Sequence, residues 1–206
     1  MNNDHYKDAI EIQLNWNGPY AWPNVKTNDN LIRFEDSNHT QSSDGYLWTV
    51  EFSGKYLTYT AGQTRRSFIT RFKEHTQAHN KGFFTVFDKE EMKQDRRVEI
   101  WHGFFTRKRQ PEKEQEFKRR REEIIKAVDE QLASFRIFVA PLESESRMLK
   151  RIEAGIMNIL YQAPSPISDI PDRGMSLSRR WENEKPVLVR NNGGSMFHGL
   201  PEEFEI

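Results

Sequence analysis

The stretch from Gly45 to His75, GYLWTVEFSGKYLTYTAGQTRRSFITRFKEH, decides the fold. Its first half alternates apolar and other residues on both sides of Ser53-Gly54, which is typical of a β-hairpin closed by a tight glycine turn. In its second half the apolar residues take helical spacing, so we expect a helix that Thr64 or Ser67 caps and that runs to about His79. The stretch therefore predicts a hairpin followed directly by an amphipathic helix.

The rest of the chain continues this alternation of strands and helices. The expected elements are a first hairpin strand at about 45–53, its return strand from Lys55 to Ala61, a third strand at Val98–His102, one long charged helix over about 111–133, a buried strand at Phe135–Ala140, a helix from Ser144 or Ser146 to about Tyr161, and a short strand at Val187–Val189. This order predicts an α/β (α+β) fold in which a small central β-sheet begins with the hairpin and is flanked by helices.

We expect a single domain over residues 1–206, with a core at about 44–162. The N-terminal arm, 1–43, begins with a short amphipathic segment (Ile10, Ile12, Leu14 and Trp16) and is otherwise expected to be mostly irregular. The C-terminal extension, 163–206, is rich in proline and reads mostly as loop.

Composition limits the functions that the chain can have. Its 206 residues include 31 basic and 31 acidic side chains, so a nucleic-acid site would need local segregation of charge. The absence of cysteine excludes disulfides, thiolate catalysis and cysteine-based zinc sites, and it favours a cytoplasmic location. With no secretory leader and no long apolar run, we expect no membrane partner. No nucleotide-binding fingerprint is present either, so no organic cofactor is expected.

Glu153 is the most informative carboxylate. It lies one helical turn from Leu149, Ile156 and Met157, so its side chain is expected at or beside a buried face. A carboxylate there needs a cation, a metal ion or organised hydrogen bonds. The alternative is a glutamate at the edge of the face that reaches water or pairs with Arg147 or Arg151.

Arg71 and His75 are four residues apart and share one face of the predicted helix. Arginine can hold a phosphate through two hydrogen bonds, and histidine can add a hydrogen bond or move a proton. The alternative is a solvated polar stripe shared with Lys73 and Glu74. The hairpin tyrosines, Tyr46, Tyr56 and Tyr59, could each act at a phosphodiester, although strand tyrosines usually serve packing.

Four basic clusters could contact phosphates: Arg65-Arg66, Arg107-Lys108-Arg109, residues 118–121 and Arg179-Arg180-Trp181. Glutamates surround the cluster at 118–121, which favours a salt-bridged surface there. Arg65, Arg66, Arg179 and Arg180 are the better candidates for DNA contacts.

Two segments together resemble the GIY-YIG nuclease family: Asp44 to His75, with its AGQT and RFKEH motifs, and LKRIEAGIMNIL around Glu153. The resemblance covers about half of the chain, and the chain looks most like the stand-alone bacterial members that include restriction-type endonucleases. Where the family has Gly-Ile-Tyr, this chain has Asp44-Gly45-Tyr46. Where the family has Tyr-Ile-Gly, it has Thr60-Ala61-Gly62, with Tyr59 one position earlier.

The resemblance implies an endonuclease that hydrolyses DNA with one Mg²⁺ or Mn²⁺ ion. Glu153 would hold the ion, which would stabilise the leaving 3′ oxygen. Tyr46, with Tyr59 as the candidate second tyrosine, would help to activate water. His75 would assist proton transfer or hold a phosphate oxygen, and Arg71 would stabilise charge on the phosphate. Asn191 or Asn192 would take the place of the family's asparagine.

Two other functions stay open from the sequence. Thr60 stands where the family has a tyrosine, which favours a module of the same fold that binds nucleic acid or protein without cutting. A repair-type or toxin-like nuclease that acts on RNA or branched DNA is the third possibility.

Overall fold

The computed structural model describes residues 10–26, 30–94, 96–105 and 110–206. Within them the strands are β1 (Ile10–Asn15), β2 (Asn17–Ala21), β3 (Asp44–Phe52), β4 (Lys55–Thr64), β5 (Thr85–Phe87), β6 (Glu99–His102), β7 (Arg136–Ala140), β8 (Val187–Asn192) and β9 (Glu203–Glu205). The helices are α1 (Phe68–Asn80), α2 (Lys89–Lys93), α3 (Pro111–Arg119), α4 (Arg121–Ser134) and α5 (Ser146–Gln162). The predicted α/β (α+β) class is confirmed. The predicted basic cluster Arg107-Lys108-Arg109 lies outside the described residues.

The central sheet has four antiparallel strands in the order β2-β7-β3-β4. Its hairpin is the one expected from the sequence, and Ser53 and Gly54 both have positive φ angles, 47° and 76°, as the tight turn requires. β4 continues past its expected end at Ala61 to Thr64, because β3 keeps pairing with it as far as Asp44. The prediction of a central strand near Phe135–Ala140 is also confirmed, since β7 lies between β2 and β3.

The sheet separates two cores, because successive strand residues point to opposite faces. On one face Tyr46 and Trp48 pack with side chains of α1 and α4. On the other face Leu47 and Ala61 pack with side chains of α5 and β8. Residues on α1 and α5 can therefore approach each other around an edge of the sheet, and β4 is one of its two edge strands.

The prediction of one long helix over 111–133 is wrong. It is broken at Arg120, whose φ and ψ of −100° and 13° interrupt the helix. The Arg120 guanidinium bonds Glu116 and Glu123 and also donates to the carbonyl of Ile100 at 2.9 Å. A contact with a distant strand thus accompanies a break in a segment that has continuous helical spacing.

The N-terminal arm is more regular than expected. The amphipathic start is β1, which pairs in parallel with β8 from the other end of the chain, and β2 belongs to the central sheet. The third predicted strand forms as β6, but it pairs with β5 in a separate two-stranded sheet. Of the helices in the described part of the chain, none combines the length and hydrophobicity needed to cross a membrane.

Candidate active site

The side chain of Tyr46, on β3, extends across the edge strand β4 at Gly62. The two residues are directly opposite each other in the β3–β4 ladder. A Cβ atom built on Gly62 would overlap Cζ and Oη of Tyr46, so any side chain there would displace the ring. Gly62 thus lets the Tyr46 hydroxyl lie at the edge of the sheet.

The Tyr46 hydroxyl meets the polar face of α1. Its oxygen lies 3.1 Å from Nε2 of His75, and Nε of Arg71 donates to it at 3.5 Å. The spacing of four residues places both side chains on one helix face, as the sequence predicted. The alternative of a fully solvated stripe is wrong, because the His75 side chain is buried.

His75 is held as a neutral imidazole. Its ring packs edge-on against Trp48, with centroids 4.5 Å apart. Burial, together with the positive charge of Arg71, lowers the pKa of His75 to about 2. Burial also raises the pKa of Tyr46, which Arg71 opposes. At neutral pH the pair is therefore an uncharged hydroxyl against an uncharged imidazole, with Arg71 as the adjacent cation.

Glu153 approaches the same point from the opposite side of the sheet. It lines one small cleft with Tyr46 and Gly62, and apolar side chains of α5 and the residue Trp16 form much of the remaining wall. Burial raises the pKa of Glu153 to about 7, against the opposing charges of Arg71 and Lys150. The structure thus brings Tyr46, Arg71, His75 and Glu153 together from three elements.

The predicted alternative in which Glu153 pairs with a neighbouring arginine is wrong. Arg147 forms two hydrogen bonds of 2.6 Å with the Glu184 carboxylate, and Arg151 also faces Glu184. Among the residues that the structure describes, none forms a hydrogen bond or an ion pair with the Glu153 carboxylate. It is a half-buried acid without a partner.

Such a carboxylate fits a hard divalent cation. Mg²⁺ binds oxygen ligands and usually keeps several waters, so one or two protein carboxylates are enough to hold it. Within the described ranges, no group of three or more His, Asp or Glu side chains could form a metal cage. Glu153 is therefore the residue that would hold an ion at this cleft.

Tyr59 is not brought to this group. The β3–β4 ladder has an irregularity beside Trp48, which pairs with Thr60 while the next residue pairs with Thr58. Tyr59 is the extra residue, and its ring stacks on Phe135 in the core at 5.3 Å. Burial raises its pKa strongly. Thr60, at the position where the resemblance would place a tyrosine, bonds the carbonyl of Ala61 through its hydroxyl.

The four candidate DNA-binding arginines are exposed, and each forms a hydrogen bond or an ion pair with another part of the chain. Arg65 donates to the Ser144 carbonyl at 2.7 Å, and Arg66 pairs with Glu74, which also faces Arg71 at 3.7 Å. Arg179 donates to Asn158 of α5 at 3.3 Å, and Arg180 pairs with Glu205 at 3.3 Å. Arg65 and Arg66 flank the start of α1, and Arg66 contributes to the low pKa of His75.

Neither candidate asparagine is free to act in the site. Asn191 is buried, where it accepts a hydrogen bond from the Trp16 indole and donates to the Pro201 carbonyl, both at 2.8 Å. It positions a wall of the cleft. Asn192 is exposed and bonds Asn15 on β1.

Sequence reasoning missed Lys150 and Trp16. Lys150 lowers the pKa of Glu153, and its position three residues earlier on the same helix face was the available signal. For Trp16 no local signal existed, because the strands that carry it to the cleft pair with distant parts of the chain.

Comparison with known proteins gives no match: no family model fits the chain, and neither the curated proteins nor the solved structures contain a significant relative.

Proposed function

We propose that this protein is an endonuclease of the GIY-YIG type that hydrolyses DNA phosphodiester bonds with one Mg²⁺ or Mn²⁺ ion. The observation that carries the proposal is the passage of Tyr46 across Gly62 to the edge of the sheet. There its hydroxyl meets His75 and Arg71, in the same cleft as the unpartnered carboxylate of Glu153. The lack of cysteine adds a cytoplasmic location to the proposal.

The residues of the site suit hydrolysis at phosphorus. As the water oxygen bonds to phosphorus, the water passes a proton to the Tyr46 oxygen while the Tyr46 proton moves to Nε2 of His75, in the tautomer that leaves this nitrogen unprotonated. Because the pKa of His75 is about 2, the imidazole then gives that proton to solvent. Arg71 stabilises the negative charge that develops on the phosphate oxygens. The P–O bond to the 3′ oxygen breaks, and that oxygen takes a proton from solvent.

A divalent ion bound at Glu153 would supply charge stabilisation for the leaving oxygen. The pKa of Glu153, about 7, means that the carboxylate becomes available for the ion as the pH rises through neutrality. Arg71 and Lys150 help to keep it ionised there.

A plasmid-nicking assay tests the proposal. Supercoiled plasmid is incubated with Mg²⁺ or Mn²⁺ and the natural protein, Glu153→Ala or Glu145→Ala. Glu145 is a suitable control because its carboxylate is exposed at the start of the same helix. We expect open circles from the natural protein and from Glu145→Ala, and none from Glu153→Ala. No nicking by the natural protein in either metal would overturn the proposal, and equal nicking by all three would overturn the role of Glu153.

One observation favours a second function, which is binding without cutting. Thr60 and the buried Tyr59 leave the site with a single tyrosine. A gel-shift assay tests this alternative. The binding module would retard plasmid with the same affinity with and without metal, and the plasmid would stay supercoiled.

A further inference from the structure

The most exposed large aromatic side chain of the described residues lies outside the proposed active site. Trp181 is 61% exposed, and it follows Arg179 and Arg180 in the segment RRWENEK, which connects α5 to β8. Single exposed apolar side chains are ordinary on protein surfaces, so what distinguishes this indole is the way it is held and the charges beside it. The proposed chemistry makes no use of it.

The Trp181 ring is held in place by Arg147 and Glu184. The Arg147 guanidinium lies over one face of the indole, with its carbon 4.1 Å from the ring centroid. Both oxygens of Glu184 hold Arg147 at 2.6 Å, and the backbone N–H of Trp181 donates to the same carboxylate at 2.7 Å. Arg147 also donates to the carbonyls of Ser178 and Arg179. The indole is therefore positioned before any ligand arrives, with one face covered and the other exposed.

The charge around the ring favours an anionic ligand. Arg179, Arg180 and Lys185 are exposed within the same segment, beside one exposed carboxylate, Glu182, and Arg180 pairs with Glu205 at 3.3 Å. The Glu184 carboxylate is neutralised by Arg147, which lowers its pKa to about 2. A flat aromatic face beside cations is the arrangement with which proteins bind a nucleobase and the phosphates on either side of it.

We infer that Trp181 stacks on an unpaired base of the nucleic acid, with Arg179 and Arg180 contacting the adjacent phosphates. A base inside a duplex has both faces covered by its neighbours, so only a single strand, an end or an extruded base can stack on the indole. The inference rests on the proposed function and narrows its substrate to DNA with an unpaired segment near the cut.

The Trp181 ring and the Arg147 side chain beneath it are close enough to the active site to contact the same strand. Arg147 and Glu153 are six residues apart on α5, which corresponds to about 9 Å along the helix axis and about 120° around it. A strand of a few nucleotides that curves around the first half of α5 can contact both.

Binding in EDTA tests the inference without cleavage. Fluorescence anisotropy is measured with a labelled single-stranded oligonucleotide and with the blunt duplex of the same sequence. Trp181→Ala should weaken single-strand binding by about 5- to 150-fold, the range for loss of one stacked base, and should change duplex binding far less. Trp181→Phe keeps an aromatic face and should retain most of the affinity. Ile32→Ala is the control, because Ile32 is 59% exposed and has no aromatic ring.

Three outcomes would overturn the inference. If Trp181→Ala binds the single strand as tightly as the natural protein does, or loses single strand and duplex affinity equally, the indole does not stack on an unpaired base. If the natural protein binds neither oligonucleotide, the inference fails as well. If Trp181→Ala changes neither binding nor nicking, the proposed function stands and only the inference fails. If Trp181→Ala weakens single-strand binding but the natural protein does not nick plasmid, only the proposed function fails.

Discussion

Replacing Glu153 with glutamine should make the metal-free protein more stable at alkaline pH. Burial raises the pKa of the Glu153 carboxyl from 4.5 to about 7, so the folded protein holds this proton more tightly than the unfolded chain does. Stability therefore falls as the pH rises from about 4.5 to about 7, and the full cost is present above that range. At about 1.4 kcal/mol per pH unit, the cost of the ionised carboxylate is up to roughly 3 kcal/mol.

Glutamine keeps the shape of the side chain and removes the charge. In EDTA at about pH 8.5, we expect the free energy of unfolding of Glu153→Gln to exceed that of the natural protein by up to about 3 kcal/mol. At about pH 5 the difference should shrink to about 1 kcal/mol, because the folded protein then carries the proton. Urea unfolding followed by circular dichroism at both pH values measures the difference. Mg²⁺ should stabilise the natural protein and leave the variant unchanged.

Glu184→Gln provides a control of opposite sign. The Arg147 guanidinium holds the pKa of Glu184 at about 2, so this carboxylate stabilises the fold above the unfolded-state pKa and its contribution is lost only as the pH falls toward 2. Glu184→Gln should therefore be less stable than the natural protein at both pH values. If Glu153→Gln were no more stable than the natural protein at about pH 8.5, the assignment of Glu153 as a half-buried carboxylate without a partner would be refuted.

Three further predictions concern the same site. Gly62→Ala should displace the Tyr46 ring, lower the free energy of unfolding by about 1–3 kcal/mol and reduce the nicking rate at least tenfold. Gly45→Ala is the control, because its Cβ would meet only a carbonyl at 3.7 Å. This variant should match the natural protein in both assays. Tyr46→Phe should reduce the nicking rate about 100- to 10,000-fold and cost about 1–3 kcal/mol of stability, since Nε2 of His75 loses its partner; unchanged nicking would contradict the role of the hydroxyl. The nicking rate at limiting Mg²⁺ should rise with pH through about 7, where Glu153 ionises, and a rate that falls over this range would contradict metal binding at Glu153.

Much of the fold followed from local signals. The alternating residues around Ser53-Gly54 and the helical spacing after Gly62 need only neighbouring residues to determine their structure, and both elements formed at the predicted positions. The predicted cap by Thr64 or Ser67 is wrong, because neither hydroxyl bonds a backbone N–H of the helix. The spacing of Arg71 and His75 similarly fixed which residues share a helix face. These predictions succeeded because hairpins and helices are stabilised by contacts close in sequence.

The features that differed depend on contacts between distant segments. β1 forms because β8, some 175 residues later, pairs with it, and the break at Arg120 accompanies a bond to the Ile100 carbonyl. The lack of a partner for Glu153 could not be predicted either, because Glu184 lies far along the chain and engages Arg147. The irregular pairing next to Trp48, which makes Tyr59 the extra residue of its strand, likewise has no local signal in the sequence.

The chemistry of the cut ends tests the central claim most directly. Plasmid nicked by the natural protein in Mg²⁺ is treated with DNA ligase, which seals only nicks that carry a 5′ phosphate and a 3′ hydroxyl. Hydrolysis that releases the 3′ oxygen at Tyr46 and Glu153 predicts nicks that the ligase reseals, formed by the natural protein and by Glu145→Ala but not by Glu153→Ala or in EDTA. Nicks that resist the ligase, or that form equally well without Glu153, would contradict the account.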